Sequence, residues 1–363
     1  MMYLLTSSLI GAKLAPYNIL STAPLASMFF AILVFTPIAN KYMNTLGRIY
    51  IFRITSLLLI LFAITGFYSI IFESFTLFML ASIILGICIS VANFFRFAAM
   101  QAASSDKITQ ALSLILLMGV ASSLIAPNLS KNIDQLFAFQ FSAVYLAMTP
   151  FALIMFIAFL FIKNNNVVKV KKDQPKVILP KKLWLPSIHA TIANAVMVFV
   201  MGVTPAAMSH MNYSFSDSAF VIQWHMLGMF APSLFAAWFI KKMGIYHFQY
   251  LGAWVILGAL CINLTIENHF SLTLSLLLLG IGWNFVFIGA STQLVKWSSP
   301  DQLSHAQSRN EMLIFALAGI VMLVSGSILS QLGWKLLNAF AILPILVLIG
   351  LLFYKPNHTA PNE

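Results

Sequence analysis

The chain has 363 residues, of which 61% are hydrophobic and only 8% charged, and its formal net charge is +11. Soluble domains carry charge on roughly a quarter of their residues, so no water-facing surface can be built from this composition. The mean hydropathy of +0.93 runs along the whole length, which calls for many membrane spans of about 20 residues rather than one anchor. The basic residues sit in short clusters between apolar runs, with no aromatic-rich soluble module around them, which argues against a nucleic-acid partner.

Taken in chain order, residues 1–12 form an apolar stretch before Lys13 that is too short to span, and they read as the outer end of a first helix whose beginning is missing. No basic segment precedes them, as a signal peptide would require. Eleven apolar runs of spanning length follow, at 19–40, 49–71, 75–99, 110–129, 137–162, 183–207, 216–240, 245–267, 269–295, 309–330 and 333–354. All are expected to be helices, because they are continuous and lack the alternating segments of about ten residues that build a membrane barrel. The fold class is therefore an all-α polytopic membrane protein.

The longest polar interval, 163–182, is a basic linker that divides an N-terminal bundle, 1–162, from a C-terminal bundle, 183–354, and leaves 355–363 as a tail. With strictly alternating loops, seventeen of the twenty Lys and Arg residues fall on one side, against Lys13, Lys131 and Lys335 on the other. Cytoplasmic loops are enriched in Lys and Arg, so the linker and the C-terminus are expected in the cytoplasm, at the inner membrane. The halves also echo one another. LASIILGICIS at 80–90 returns as LSLLLLGIGWN at 274–284, Ser104-Ser105-Asp106 as Ser298-Ser299-Pro300-Asp301, and Leu46-Gly47 as Met243-Gly244. Three anchors in one order point to two homologous halves of about six helices related by a parallel repeat and a pseudo-two-fold axis.

This organisation resembles the Major Facilitator Superfamily. The stretch Asn40 to Arg48 is similar to that family's cytoplasmic loop motif G-x-x-x-D-x-x-G-R, keeping Gly47 and Arg48 but carrying Asn40 and Asn44 where the family has glycine and aspartate. Ser113, Ser122, Ala126 and Pro127 reproduce the spacing of a family motif associated with exporters, with small residues in place of its three glycines. Arg96 to Ala99, Gly228 to Ser233 and Gly280 to Phe285 resemble a bacterial branch mostly without assigned substrates, some members of which are riboflavin transporters. The resemblance implies a monomeric secondary transporter that moves a small solute across the cytoplasmic membrane by alternating access, with protons as an option for coupling. The alternatives are a uniporter, a membrane-embedded enzyme or a scaffold.

Intramembrane polar residues mark pathways because each costs free energy in hydrocarbon. None of the nine acidic residues lies at the centre of an expected span, so no central carboxylate is available to carry protons. His189 and His225 are the groups that titrate near neutral pH, and His225 follows Gln223 and Trp224 on a helix that lines the cavity in the family. Trp283 and Asn284, flanked by Gly280 and Gly282, form the leading candidate solute site, joined by Asn194 from the seventh span and Asn93 from the fourth. An aromatic face with amides suits an uncharged or aromatic solute. Gln140 and Tyr145 of the sixth span are weaker candidates. Arg96, about one turn from Asn93, is expected to pair with Glu311 as a gate between the halves. Cys88 and Cys261 lie in apolar runs and imply neither a disulfide nor a metal site. No nucleotide loop of the form G-x-x-x-x-G-K-S/T, no H-E-x-x-H and no serine elbow is present, so neither an ATP-driven pump nor a hydrolase is expected, and no cofactor is implied.

Overall fold

In hydrocarbon every backbone N–H and C=O must find its partner inside the protein, which helices achieve span by span. The computed structural model describes residues 2–95, 108–133, 139–162, 179–265 and 268–353, and among these the only regular elements are helices. They run as α1 (Met2–Leu14), α2 (Ala23–Leu46), α3 (Arg48–Ile71), α4 (Phe75–Ala92) and α5 (Ile108–Ile133). Next come α6 (Ser142–Phe161), α7 (Lys181–His210, interrupted at Gly202 and Val203), α8 (Phe215–Leu234 and Ala236–Met243), α9 (Ile245–Thr265) and α10 (His269–Trp297). The last helical run, Pro300–Phe353, is broken by Gly333 at φ +77°, which separates α11 (300–332) from α12 (334–353).

The expected spans are found in order, with differences at their ends and in one interior. The second span reaches Leu46 rather than residue 40, because the polar residues after Ala39 remain helical beyond the apolar run. The fifth and sixth cover 108–133 and 142–161 where 110–129 and 137–162 were expected. The eighth, expected to be one helix, is bent by 61°. Its first part gives way to a 3-10 turn at Ala231–Leu234, where Pro232 removes a backbone donor. Hydropathy carries no information about such a bend. Helix starts follow local chemistry: Ser214 and Asp217 form a reciprocal capping box for α8, and Asn268 and Ser271 do so for α10.

Burial separates the helices by role. On α6, Phe151, Ile154, Ile157 and Phe161 are 51–84% exposed, an apolar face suited to hydrocarbon. By contrast α7 is enclosed along nearly its whole length, from Pro186 to Met208. Inside the first half, Tyr3 donates to Ser82 Oγ at 2.7 Å and Tyr145 lies 3.4 Å from the Thr6 hydroxyl, tying α1 to α4 and α6. In the second half, Ser275 donates to Asn263 Oδ1, Asn263 to Asn338 Oδ1 (2.8 Å), and Asn338 to the Trp334 carbonyl (2.9 Å). That chain stitches α9, α10 and α12 with its polar atoms satisfied.

Between the two halves, α2 packs on α11 and α5 on α8. Near the α1–α2 turn the joint is polar: Thr22 Oγ1 donates to the Met322 carbonyl and accepts from the Gly326 N–H, and Ser327 donates to the Ile19 carbonyl. Deeper in, Phe29 stacks on Phe315, Phe30 lies against Gly319, and Gly119 of α5 faces Phe230 of α8. Phe141 and Phe215, one from each half, also meet edge to face with ring centroids 4.9 Å apart.

Candidate functional site

Two glycine crossings set the position of α10. A Cβ on Gly280 would meet the His225 carbonyl oxygen at 2.4 Å, and one on Gly228 the Leu277 oxygen at 2.5 Å, so α8 and α10 are in backbone contact. Gly282 and Gly252 do the same for α10 and α9, at 2.6 and 2.7 Å. Small residues at helix crossings replace the missing hydrophobic drive with close van der Waals approach. The glycines around Trp283 therefore serve packing rather than a bend.

With α10 held this way, the two leading candidates diverge. Trp283 turns towards α7, where its Nε1 donates to Asn194 Oδ1 at 3.3 Å, and its ring stacks on Phe287 one turn later, at 4.8 Å and 19°. Asn284 is 2% exposed and turns towards α8, where its Nδ2 donates to the Met229 carbonyl at 2.7 Å and to Ser233 Oγ. Met229 immediately precedes the α8 bend, so Asn284 satisfies backbone that the broken helix leaves short of donors. Its Oδ1 is buried without a hydrogen-bond partner. Trp283, Phe287 and Asn194 thus form one polar-edged aromatic surface between α7 and α10, while Asn284 supports the α8 backbone.

The histidines lie in helix–helix contacts. His225 is fully buried, with Nδ1 2.7 Å from the Leu276 carbonyl and Nε2 without a partner. Its neighbour Trp224 points away, 40% exposed and edge to face with Phe220, and Gln223 is half-buried, so the three do not converge. His189 Nδ1 lies 2.9 Å from Gln249 Oε1 on α9, and Gln249 Nε2 donates to Gln293 Oε1 on α10 at 3.0 Å. His189 therefore looks towards α9, whereas Asn194 looks towards α10.

Near the opposite end of the bundle, Gly47 closes α2 at φ +92° and Gly244 closes α8 at φ +83°. This positive-φ region favours glycine, so the matching Leu46-Gly47 and Met243-Gly244 pairs share one backbone requirement. Asn44 Nδ2 contacts Asn40 Oδ1 at 3.4 Å on the exposed last turns of α2, and Arg48 opens α3. Asn93 caps α4 with its Nδ2 buried and unpartnered. Glu311 is half-buried on α11, while Arg96 lies outside the described residues, as does the side chain of Ser113. Tyr145 is a core residue packed against Gly66, and Gln140 lines a cleft of about 260 Å³ with Lys13 and Tyr213.

Several polar groups escaped the sequence reading. Ser7 and Ser8 of α1 are buried with unpartnered hydroxyls, and the Gln249–Gln293 pair was invisible because no local spacing links α9 to α10. Arg309, counted only as an orientation signal, lies over the Trp184 ring at 4.2 Å with Nε and Nη2 buried and unpartnered. Among the described residues no group of three metal-ligating side chains occurs.

The family model of the Major Facilitator Superfamily matches residues 2–252 and 190–363. The riboflavin transporter RfnT of Brucella anthropi is 28% identical over 365 residues, spanning 97% of this chain and 91% of that protein. The uncharacterized MFS-type transporter YddS of Bacillus subtilis is 22% identical over 53% of this chain and 45% of its own length. Among solved structures, a mutant of the nucleoside transporter NupG aligns with TM-score 0.74 at 15% identity, covering 97% of this chain and 95% of that one. The human organic anion transporter MFSD10 aligns with TM-score 0.68 at 15% identity, over 97% and 95%. With its helical fold, its membrane spans and a family match along the whole chain, the protein belongs to the Major Facilitator Superfamily and is a multi-pass membrane transporter of a small solute rather than an enzyme.

Proposed function

We propose that the solute is a small, uncharged, planar aromatic molecule of the flavin class, carried across the cytoplasmic membrane by alternating access between bundles 1–162 and 183–354. The observation that carries this reading is the Trp283–Phe287 stack edged by Asn194. A planar ring system stacks on such a surface, and an amide selects its polar edge. The identity of the Brucella anthropi relative, a riboflavin transporter, supports the same class. In this reading the basic linker 163–182 and the tail 355–363 face the cytoplasm, and the chain works as a monomer.

Two buried imidazoles, His189 and His225, support coupling to protons, because each keeps one ring nitrogen without a partner in the helix contacts. Uncoupled facilitation is the second reading. It is favoured by the acids of the described residues, since Glu73 and Asp217 are exposed near span ends and Asp301 and Glu311 lie in the N-terminal part of α11.

Proteoliposomes containing the purified full chain test both. Labelled riboflavin is expected to exchange in counterflow and to be lost in Trp283→Ala but kept in Trp283→Phe. Absence of any exchange in the wild-type protein would sink the flavin assignment. Accumulation driven by an imposed proton gradient supports coupling, whereas equilibration alone, unchanged by that gradient, supports a facilitator.

A further inference from the structure

His189, Gln249 and Gln293 bring one imidazole and two amides from α7, α9 and α10 into a single chain, and all three side chains are buried. The chain has a direction. Gln249 turns its Oε1 to His189 Nδ1 at 2.9 Å and its Nε2 to Gln293 Oε1 at 3.0 Å, and Gln293 is hydrogen-bonded in turn to the Tyr246 hydroxyl. An amide oxygen carries no hydrogen, so the proton of the first link belongs to His189 Nδ1. The donors therefore point away from the imidazole and towards Tyr246, which lines a cleft of about 290 Å³ at the Gly244 end of the bundle.

This direction decides the state of the ring. A neutral imidazole has one N–H and one bare nitrogen, and the hydrogen bond made by one sets the character of the other. With Nδ1 donating, Nε2 is the bare nitrogen, and it is buried without a partner. His225 reaches the same tautomer by another route, since its Nδ1 meets the backbone carbonyl of Leu276. A carbonyl inside a helix cannot turn, whereas a side-chain amide can rotate by half a turn and exchange its oxygen for its nitrogen. In that reversed pose Gln249 would donate to Nδ1 and move the ring hydrogen to Nε2.

Gln293 opposes the reversal. Its Oε1 accepts from Gln249 Nε2, and a reversed Gln249 would set oxygen against oxygen in a buried site. Only a joint turn of both amides, with Tyr246 changing from acceptor to donor, escapes that cost. Packing holds the two amides together, because a Cβ on Gly289, one turn before Gln293, would meet Gln249 Cγ at 2.5 Å.

We infer that Gln293, which makes no hydrogen bond to His189, fixes through Gln249 which ring nitrogen of His189 is free to take up a proton. Gln293 is then a positioning residue for the proton step, a role that rests on the proposed coupling through His189. The other titratable and charged groups on the elements around the chain are Lys181 and Lys182 at the start of α7, Lys296 on α10, His247 on α9, Lys335 on α12, and Asp301, His305, Arg309 and Glu311 on α11. Among the described residues His189 is hydrogen-bonded to Gln249 alone.

Nitrogen-15 NMR of the full chain with labelled histidine separates Nδ1–H from Nε2–H, and comparison with His189→Gln assigns the signal. Wild-type His189 is expected as Nδ1–H. Gln293→Met removes the amide at nearly constant volume and should bring the Nε2–H form to roughly half of the signal or more. Gln293→Glu keeps an oxygen facing Gln249 Nε2 and should retain Nδ1–H. The signal of His225, bonded to backbone, should stay Nδ1–H throughout and reports that each variant is folded. An Nε2–H signal from wild-type His189, or an Nδ1–H signal undiminished in Gln293→Met, overturns the inference.

Transport in proteoliposomes separates that failure from failure of the coupling. The pH for half-maximal riboflavin accumulation should move in Gln293→Met by about half a unit, roughly threefold in proton concentration. A wild-type profile that is flat with pH overturns the coupling and with it the role given to Gln293. A proton-dependent wild-type profile that Gln293→Met leaves unmoved overturns that role alone.

Discussion

Replacing Gly280 by alanine tests the packing of α10 directly. The added Cβ would sit 2.4 Å from the His225 carbonyl oxygen and 3.0 Å from the Met229 nitrogen, both backbone atoms of α8. Ordinary contact requires roughly 1 Å more, and a rigid helix can supply that only by moving away. Such a shift stretches the 2.7 Å bond from Asn284 to the Met229 carbonyl beyond hydrogen-bonding range. Overpacking costs about 1–3 kcal/mol, and a lost hydrogen bond about 1 kcal/mol. The helix propensity of alanine returns about 1 kcal/mol. The net expectation is a loss of about 1–3 kcal/mol. Gly258 is the control, because a Cβ there meets nothing within 4 Å, so Gly258→Ala should be neutral or slightly stabilising. Thermal unfolding of the two purified variants in one detergent, followed by tryptophan fluorescence, gives the comparison. If Gly280→Ala melts at or above Gly258→Ala, the close α8–α10 crossing is not what holds α10 in place.

Other substitutions separate binding from support. Asn284→Leu should lower stability by about 1–3 kcal/mol by stranding the Met229 carbonyl, while leaving the KM for riboflavin nearly unchanged; a KM effect without destabilisation would return Asn284 to the solute surface. Asn194→Ala should raise KM several-fold with little change in melting temperature, since it removes only the 3.3 Å bond that orients Trp283. Thr22→Val deletes a bond to the Met322 carbonyl and another from the Gly326 N–H, so it should loosen the joint between α2 and α11. Faster labelling of a cysteine placed at Ser21 by an impermeant maleimide would show this, and unchanged labelling would contradict it. Gln249→Leu interrupts the path from His189 to Gln293; if His189 couples transport to protons, gradient-driven accumulation should fall while counterflow persists.

The order and approximate limits of the spans were legible because hydrocarbon imposes a length and a polarity on every crossing segment. The turn at Gly47 was equally visible, since it places a glycine between two apolar runs, whereas the break at Gly333 falls on the first residue of the run expected at 333–354. The bend in α8 was not, because Pro232 inside an apolar stretch is compatible with either a tolerated kink or a broken helix. At the site, the sequence named residue types but carried no information about their directions. Trp283 and Asn284 are neighbours in sequence, yet about 100° of helix rotation separates them, and only the backbone contacts of Gly280 and Gly282 decide that one meets α7 and the other α8. Gln249 and Gln293 went unnoticed for the same reason, being 44 residues apart and joined only by the packing of α9 on α10.

The two left-handed corners at Gly47 and Gly244 bear on the history of the chain as well as its shape. A residue with a Cβ there costs about 1 kcal/mol or more, a penalty that applies whatever side chains surround the corner. The flanking residues differ, as in Asn44 against Lys241, while both corners carry glycine. Ancient duplications in apolar proteins leave few dependable markers, because one leucine replaces another freely. Backbone handedness supplies a marker that side-chain chemistry cannot erase, and aligning the halves of other membrane proteins on such corners should recover repeats that sequence similarity has lost.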